Sequence, residues 1–461
     1  MDKVVVINLV ALSSKLLGDA TPFLKEWASG KKNVSVRPAF PAVTCTAQSN
    51  YLTGKHPDEH GIVGNGWYSH EDCEVKFWKQ SNKLVRAEKI WETARKIDAD
   101  FTCANMFWWY NMYSTVDISV TPRPQYHADG KKIPDVYSNP SELRSYLQKK
   151  LGTFPLFDFW GPATSIRSSN WIAEASMLVD GIFNPTLTLI YLPHLDYCLQ
   201  QFGPEDPKIK PYLRELDELC KKLISFYERR GAKVNIISEY SISRVSNPVH
   251  INRILRENGY LKVREESGRE LLDAGGSRAF AVADHQVAHV YLNDSFAKEE
   301  VKRLLASSEG IDVVLSNVDK ELLHIHHERA GDLIAVADKM SWFTYYYWLD
   351  DHKAPDFART VEIHKKPGYD PVELFFDPEI KFLQTKAALK LLKKKMGFRT
   401  LMDFIPLDAS LVKGSHGRVP DAMQDWPLLI TGENYKCPDS IESTGVYRVI
   451  LDQVFSKVPY S

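Results

Sequence analysis

Residues 234–243 read VNIISEYSIS. An apolar run, Val234 to Ile237, stops at Ser238-Glu239-Tyr240. A carboxyl and a phenol at the end of such a run make an acid/base pair, because a Glu in a dry pocket has a raised pKa. Thr44 supplies a hydroxyl at the start of a predicted helix, where N–H groups cap the helix or face an oxyanion. Asp284-His285 in AVADHQVAHV offers a ligand or a general acid, or else a packed pair on a strand. Glu362 and His364 share one face if their segment is extended. His324, His326 and His327 have no clean metal spacing and read as a solvated turn. The six cysteines, Cys45 among them, are scattered without a CxxC, which excludes a disulfide framework or a cysteine zinc site. The clusters FWWYNMY (107–113) and WFTYYYW (342–348) are dense enough to be core, or to line a pocket for a planar or apolar group.

The elements that must hold these residues alternate. Strand-like runs occur at Val4–Leu9, Phe101–Met106, Thr186–Leu192 and Lys233–Ile237. Helical spacing occurs at Thr21–Ser29, Ala87–Lys96 and Ile209–Arg229. Such alternation predicts an α/β fold, a mostly parallel sheet covered by helices on both faces. Ligands of such sheets bind beyond the carboxyl ends of the strands, where the motif-rich loops lie. From about residue 263 the texture becomes strand, helix, strand, strand, with Ala279–Asn293 read as one strand. This predicts a small inserted α+β cap over 263–353, and a core domain made of 1–262 and 354–461. The triplet Lys393–Lys395 reads as a solvated helix face.

The segment PAVTCTAQSNYLTGKHPDEHGIVGNGWY (41–68) resembles the nucleophile region of the type I phosphodiesterase/nucleotide pyrophosphatase family, in the alkaline phosphatase superfamily. Thr44, Leu52-Thr53-Gly54, Pro57 and His60-Gly61-Ile62-Val63-Gly64-Asn65 carry the match. LPHLDYCLQQFGP (192–204), PVHINRILRENGYL (248–261) and GSHGRVP (414–420) follow in the family's order. The resemblance implies an alkaline-phosphatase-like fold, a Thr44 nucleophile and two zinc ions about 4 Å apart that stabilise a phosphoryl transition state.

The implied ligand set is altered in this chain. On one metal side Asp196 and His416 are kept, and the family's His four residues after the Asp is Gln200. On the nucleophile side the Asp becomes Val10, with Asn8 two residues earlier, and the Asp-His pair becomes Glu239-Tyr240. Asp and His are sound zinc ligands, Gln oxygen is weak and Tyr is rare. Ala47 replaces an Asn that binds the phosphoryl group, which leaves Gln48, Asn50 or Asn65 as substitute donors. The expected metal is zinc or another divalent ion, one or two per chain, held by Asp196, His416, Glu239 and Gln200.

Two functions follow. One is a divergent hydrolase of a phosphate ester or related small metabolite, acting through Thr44 and an altered metal site. The other is a degenerate member that binds an organic phosphate or a partner protein without hydrolysis. A formal net charge of −1 argues against a nucleic acid polymer or an anionic membrane as partner. No run of 18 apolar residues occurs, and a soluble, cytoplasmic protein is expected.

Overall fold

A computed structural model describes residues 1–432 and 435–455. Its centre is the strand Val4–Leu9, six residues that are all buried. A strand with no exposed face must be covered on both sides, which is why VVVINL reads as continuous apolar sequence rather than as alternation. It lies in a nine-stranded sheet. The spatial order is Ser440–Glu442, Lys32–Arg37, Leu428–Thr431, Lys233–Ile237, Val4–Leu9, Leu187–Leu192, Cys103–Met106, Ile118–Pro122 and Val136–Asn139. Leu428–Thr431 and the edge strand Val136–Asn139 run antiparallel to their neighbours, and the other pairings are parallel. Helices pack in two groups. Thr44–Thr53 and Ile90–Ile97 pack on Gly445–Val454, and Pro22–Ser29 and Ile166–Phe183 pack on Lys210–Arg229.

Two core-element starts move by two or more residues from their sequence positions. The helix expected over Ala87–Lys96 spans Ile90–Ile97, because the Glu92 carboxylate accepts from the Lys89 N–H and fixes the cap there. The strand expected from Phe101 begins at Cys103, whose N–H bonds to the Asp117 carboxylate at 2.8 Å.

A second, four-stranded antiparallel sheet is built from Ala279–Asp284, Val287–Leu292, Leu333–Ala337 and Ile311–Leu315. Residues 279–293 are therefore a hairpin, not one strand. Its turn is His285-Gln286, with His285 at φ 62°. A positive φ at a histidine is uncommon and is held here by packing described below. This sheet has its own hydrophobic core, which takes in the buried cluster Trp342, Phe343, Tyr345, Tyr346, Tyr347 and Trp348. That core also draws Tyr369, Val372 and Ile405 from beyond residue 353. Glu362 and His364 lie in turns rather than in a strand, so no alternation sets their faces.

Candidate functional site

The carboxyl ends of the central strands converge. Val4–Leu9 leads to Val10, Leu187–Leu192 to the helix His194–Phe202, Lys233–Ile237 to Ser238-Glu239-Tyr240, and Cys103–Met106 to the aromatic loop at 107–113. Thr44 is the first residue of the helix Thr44–Thr53, whose last turn is closed by Gly54 at φ 66°. A Cβ on Gly54 would stand 3.0 Å from the Tyr447 ring, so this C-cap needs glycine both for its φ and for space.

Thr44 and Asp196 reach the wall of a cavity of about 770 Å³, together with Tyr240 and His285. The Tyr240 hydroxyl lies 3.1 Å from Thr44 Oγ1 and donates to Asp196 Oδ1 at 3.1 Å. The Gln200 amide donates to Asp196 Oδ2 at 2.8 Å, and its Oε1 accepts from the Tyr369 hydroxyl at 2.9 Å. Glu239 Oε1 accepts from Asn8 Nδ2 at 2.6 Å and from Gln48 Nε2 at 2.5 Å. Burial pushes Glu239 up to about 8 against these hydrogen bonds, and pushes Asp196 up to about 7.

Four rings stack beside these carboxyls. Tyr240 lies on His416 at 3.6 Å, His416 on His285 at 3.7 Å, and His285 on Tyr369 at 3.6 Å. Burial holds both imidazoles well below their ordinary pKa, so they are neutral. His416 Nδ1 donates to the Ala42 carbonyl at 2.7 Å, which leaves Nε2 a buried acceptor without a partner, 3.9 Å from Asp196 Oδ1. His285 shares a hydrogen bond of 2.8 Å with Asp284, so the hairpin does bring the Asp284-His285 pair to the cavity.

The remaining candidates face elsewhere. Gln48 spends its oxygen on the Trp109 N–H and its amide on Glu239. Asn65 ties the Cys45 N–H to Asp284, so one N–H expected for an oxyanion at the helix start is already taken. Asn50 bonds to His60 and Ser443 on the far side of its helix. Val10 is buried in the apolar core. Cys45 is buried too, and burial raises its thiol well above the usual range. His324 stacks on His56 and lies 3.4 Å from Asp58, and His326 lies 3.3 Å from Glu321, none of them lining the cavity. His364 lines the cavity mouth.

These residues do not fit a metal centre. A cation needs free lone pairs converging on one point. Here Val10 offers no lone pair, and both Asp196 oxygens, the Gln200 oxygen and one Glu239 oxygen each spend lone pairs on donors from the protein. Of the implied ligand set, Glu239 Oε2 and His416 Nε2 are the buried atoms left without partners. Among the described residues no group of three or more His, Cys, Asp or Glu is placed to hold a metal.

Tyr369, Trp160 and Tyr197 also wall the cavity and were not singled out in the sequence. Lys365-Lys366-Pro367-Gly368-Tyr369 held one readable signal. A Cβ on Gly368 would stand 2.6 Å from the Tyr345 Cβ, so only glycine lets this loop carry Tyr369 inward. Beneath it, buried Lys366 pairs with Asp370 and Glu373, each at 2.7 Å. Glu373 also accepts from Trp160 Nε1 at 2.5 Å.

A family model described as type I phosphodiesterase / nucleotide pyrophosphatase matches residues 4–370. An uncharacterized pyrophosphatase/phosphodiesterase of Schizosaccharomyces pombe is 24% identical over 259 residues, 54% of this chain and 45% of that protein. The chain thus matches less than half the length of that curated relative. Murine ectonucleotide pyrophosphatase/phosphodiesterase 5, solved in complex with AMP, superposes with a TM-score of 0.60 at 14% identity, over 100% of this chain and 97% of that one. Phosphonoacetate hydrolase from Sinorhizobium meliloti, in complex with phosphonoformate, gives 0.62 at 14%, over 98% and 96%. At these identities the two superpositions speak to the fold alone.

Proposed function

The chain belongs to the type I phosphodiesterase/nucleotide pyrophosphatase family, and on that premise we propose that it binds a small organic phosphate without hydrolysing it by the two-metal route. The observation that carries this reading is the Tyr240 hydroxyl, which bridges Thr44 Oγ1 and Asp196 Oδ1 at 3.1 Å each. By the resemblance, Tyr240 stands where a metal-holding histidine is expected. A neutral phenol there gives Thr44 a hydrogen bond but no cationic field to lower its hydroxyl pKa. Both Asp196 oxygens and Glu239 Oε1 likewise accept from amides and a phenol rather than facing cations. Aromatic walls suit a ligand with a planar or apolar part, and the AMP and phosphonoformate bound by the two structural relatives are in keeping with a small ligand.

Orientation follows from charge. Thr44, Tyr240 and His285 present neutral polar groups to the cavity beside the Asp196 carboxyl. Arg123, Lys365 and Lys394 line the same cavity and make no ion pair among the described residues, so the anionic end of the ligand belongs with them. We also take residues 263–353 as an inserted unit, on the ground that the four-stranded sheet pairs with no strand of the large one.

A second reading, hydrolysis through Thr44, rests on the placement of its hydroxyl at the cavity wall. One experiment separates the two. AMP and an aryl phosphodiester are assayed for binding by calorimetry and for product by chromatography, with and without added zinc. Binding without product supports the proposal. Steady product release that Thr44→Ala abolishes overturns it in favour of the hydrolase.

A further inference from the structure

The helix Leu383–Lys395 is the one long element among the described residues that buries no side chain. Its outward side is nevertheless apolar. At 100° per residue Ala388, Leu389, Leu392 and Met396, with Thr385 among them, fall within an arc of about 100°, bordered by Lys393 and Lys395. Leu389 is 56% and Leu392 53% exposed, and Phe382 and Phe398 at the two ends are 82% and 62% exposed. The inward side is anchored instead by Lys386 and Lys390, which lie over the Phe404 ring and pair with Asp403. Residues 380–402 hold seven Lys or Arg and no Asp or Glu, in a chain whose net charge is −1. Lys381, Lys393, Lys394 and Lys395 have no ion pair among the described residues.

This stripe adjoins the cavity. Ala387, Leu391 and Lys394 line its mouth, and so do Phe157, Phe376 and Leu401, each an exposed apolar side chain. A cavity with aromatic walls thus opens through an apolar rim onto a basic helix. A contiguous exposed apolar patch, unlike scattered exposed apolar residues, marks an interaction surface. A surface that is apolar along a line, basic on both flanks and free of acids is complementary to an anionic bilayer, whose headgroups take the lysines while the acyl region takes the leucines.

We propose that Leu383–Lys395, with Phe382 and Phe398, docks this protein on an anionic lipid surface with the cavity mouth facing the bilayer. This departs from the expectation drawn from net charge, because the basic segment is a local excess that the acidic remainder cancels in the sum. The docking stands without any ligand. That the ligand is an amphiphilic phosphate drawn from the bilayer rests, in addition, on the proposed function.

The test is sedimentation of the full-length, ligand-free protein with vesicles of phosphatidylcholine alone or with ~30% phosphatidylglycerol, at ~0.05 and ~0.5 M salt. The expected result is binding to the anionic vesicles at low salt, roughly tenfold weaker to phosphatidylcholine and at high salt. The pairs Leu389→Glu/Leu392→Glu and Lys393→Glu/Lys395→Glu change only exposed side chains, so both variants keep the wild-type melting temperature. Each is expected to lose about tenfold in vesicle binding. Absence of binding to anionic vesicles overturns the proposal, as do variants that sediment like wild type. Retention on immobilised poly-glutamate with no vesicle binding would assign the helix to an acidic protein instead. Because no organic phosphate is present, failure here leaves the cavity reading standing, and failure of ligand binding leaves the docking standing.

Discussion

The ring of Tyr240 lies flat on the ring of His416, with centroids 3.6 Å apart and planes 8° apart. This contact and the hydroxyl's two hydrogen bonds fix Tyr240 between Thr44 and Asp196. A phenol so held satisfies a buried carboxyl without carrying charge. The hydrogen bond it gives is of ordinary strength.

Metal binding tests this directly. Wild-type protein equilibrated with zinc and dialysed is expected to retain well under ~1 ion per chain. Gln200→His combined with Tyr240→Phe frees Asp196 and adds a third good ligand to Asp196 and His416. That variant is expected to retain about one ion. Elemental analysis reads both, and about two ions in the wild type would refute the role given to Tyr240.

The raised pKa of Glu239 predicts a pH dependence of stability. An unfolded Glu titrates near its ordinary value, while burial moves the folded group up to about 8. Between those values the unfolded chain has lost a proton that the fold keeps, so stability falls as pH rises. The contribution is whole below the unfolded value and gone above about 8. Asp196, raised to about 7, acts with the same sign at lower pH. Glu239→Gln removes the Glu239 part. Its melting curve should flatten relative to wild type by at most about 1.4 kcal/mol per pH unit, and should lie above wild type near pH 8. Parallel pH profiles would contradict the assignment.

Trp109 lines the cavity, and its buried Nε1 has no partner. Its ring, and not this buried N–H, is what a ligand in the cavity meets. Trp109→Phe keeps an aromatic wall and is expected to change binding of an organic phosphate by less than about 1 kcal/mol. Trp109→Ala should cost more, because the ring contact goes. Calorimetry reads both, and an unchanged affinity in Trp109→Ala would place the ligand elsewhere in the cavity.

Lys366 is buried between Asp370 and Glu373. Removing one partner of such a cluster strands the others, so Lys366→Met is expected to cost about 3–5 kcal/mol by urea denaturation. Lys366→Met/Asp370→Asn/Glu373→Gln leaves no buried charge in the cluster and should recover most of that loss. A single variant as stable as wild type would mean that the cluster does not hold the Tyr369 loop.

The central strands were legible because each buried strand is a short apolar run bounded by turns. Lys233–Ile237 matches its expected limits, and Leu187–Leu192 lies one residue inside the expected run. The hairpin at Ala279–Leu292 was hidden. Its turn residues, His285-Gln286, are not the usual Gly or Asn, and their left-handed turn is held by the ring stack on Tyr369 and His416. The same stack explains why Asp284-His285 could not be placed from sequence. Its partners lie 84 and 131 residues away by number.

The amino-acid sequence by itself determined the α/β alternation, and its motifs carried the resemblance that implied the family, the place of Thr44 at a helix start and an altered ligand set. Those are properties of residue type and of local spacing, which the chain carries in one dimension. Only the tertiary structure decided what the altered residues do. Which oxygen of Asp196 is occupied, whether Gln200 turns its amide or its carbonyl inward, and whether His285 meets His416 all depend on loops from different strands converging. The same holds at the cavity mouth. Seven basic residues in 380–402 are plain in the sequence. That the leucines between them face outward beside an apolar cavity follows only from how Lys386 and Lys390 seat the helix on Phe404 and Asp403.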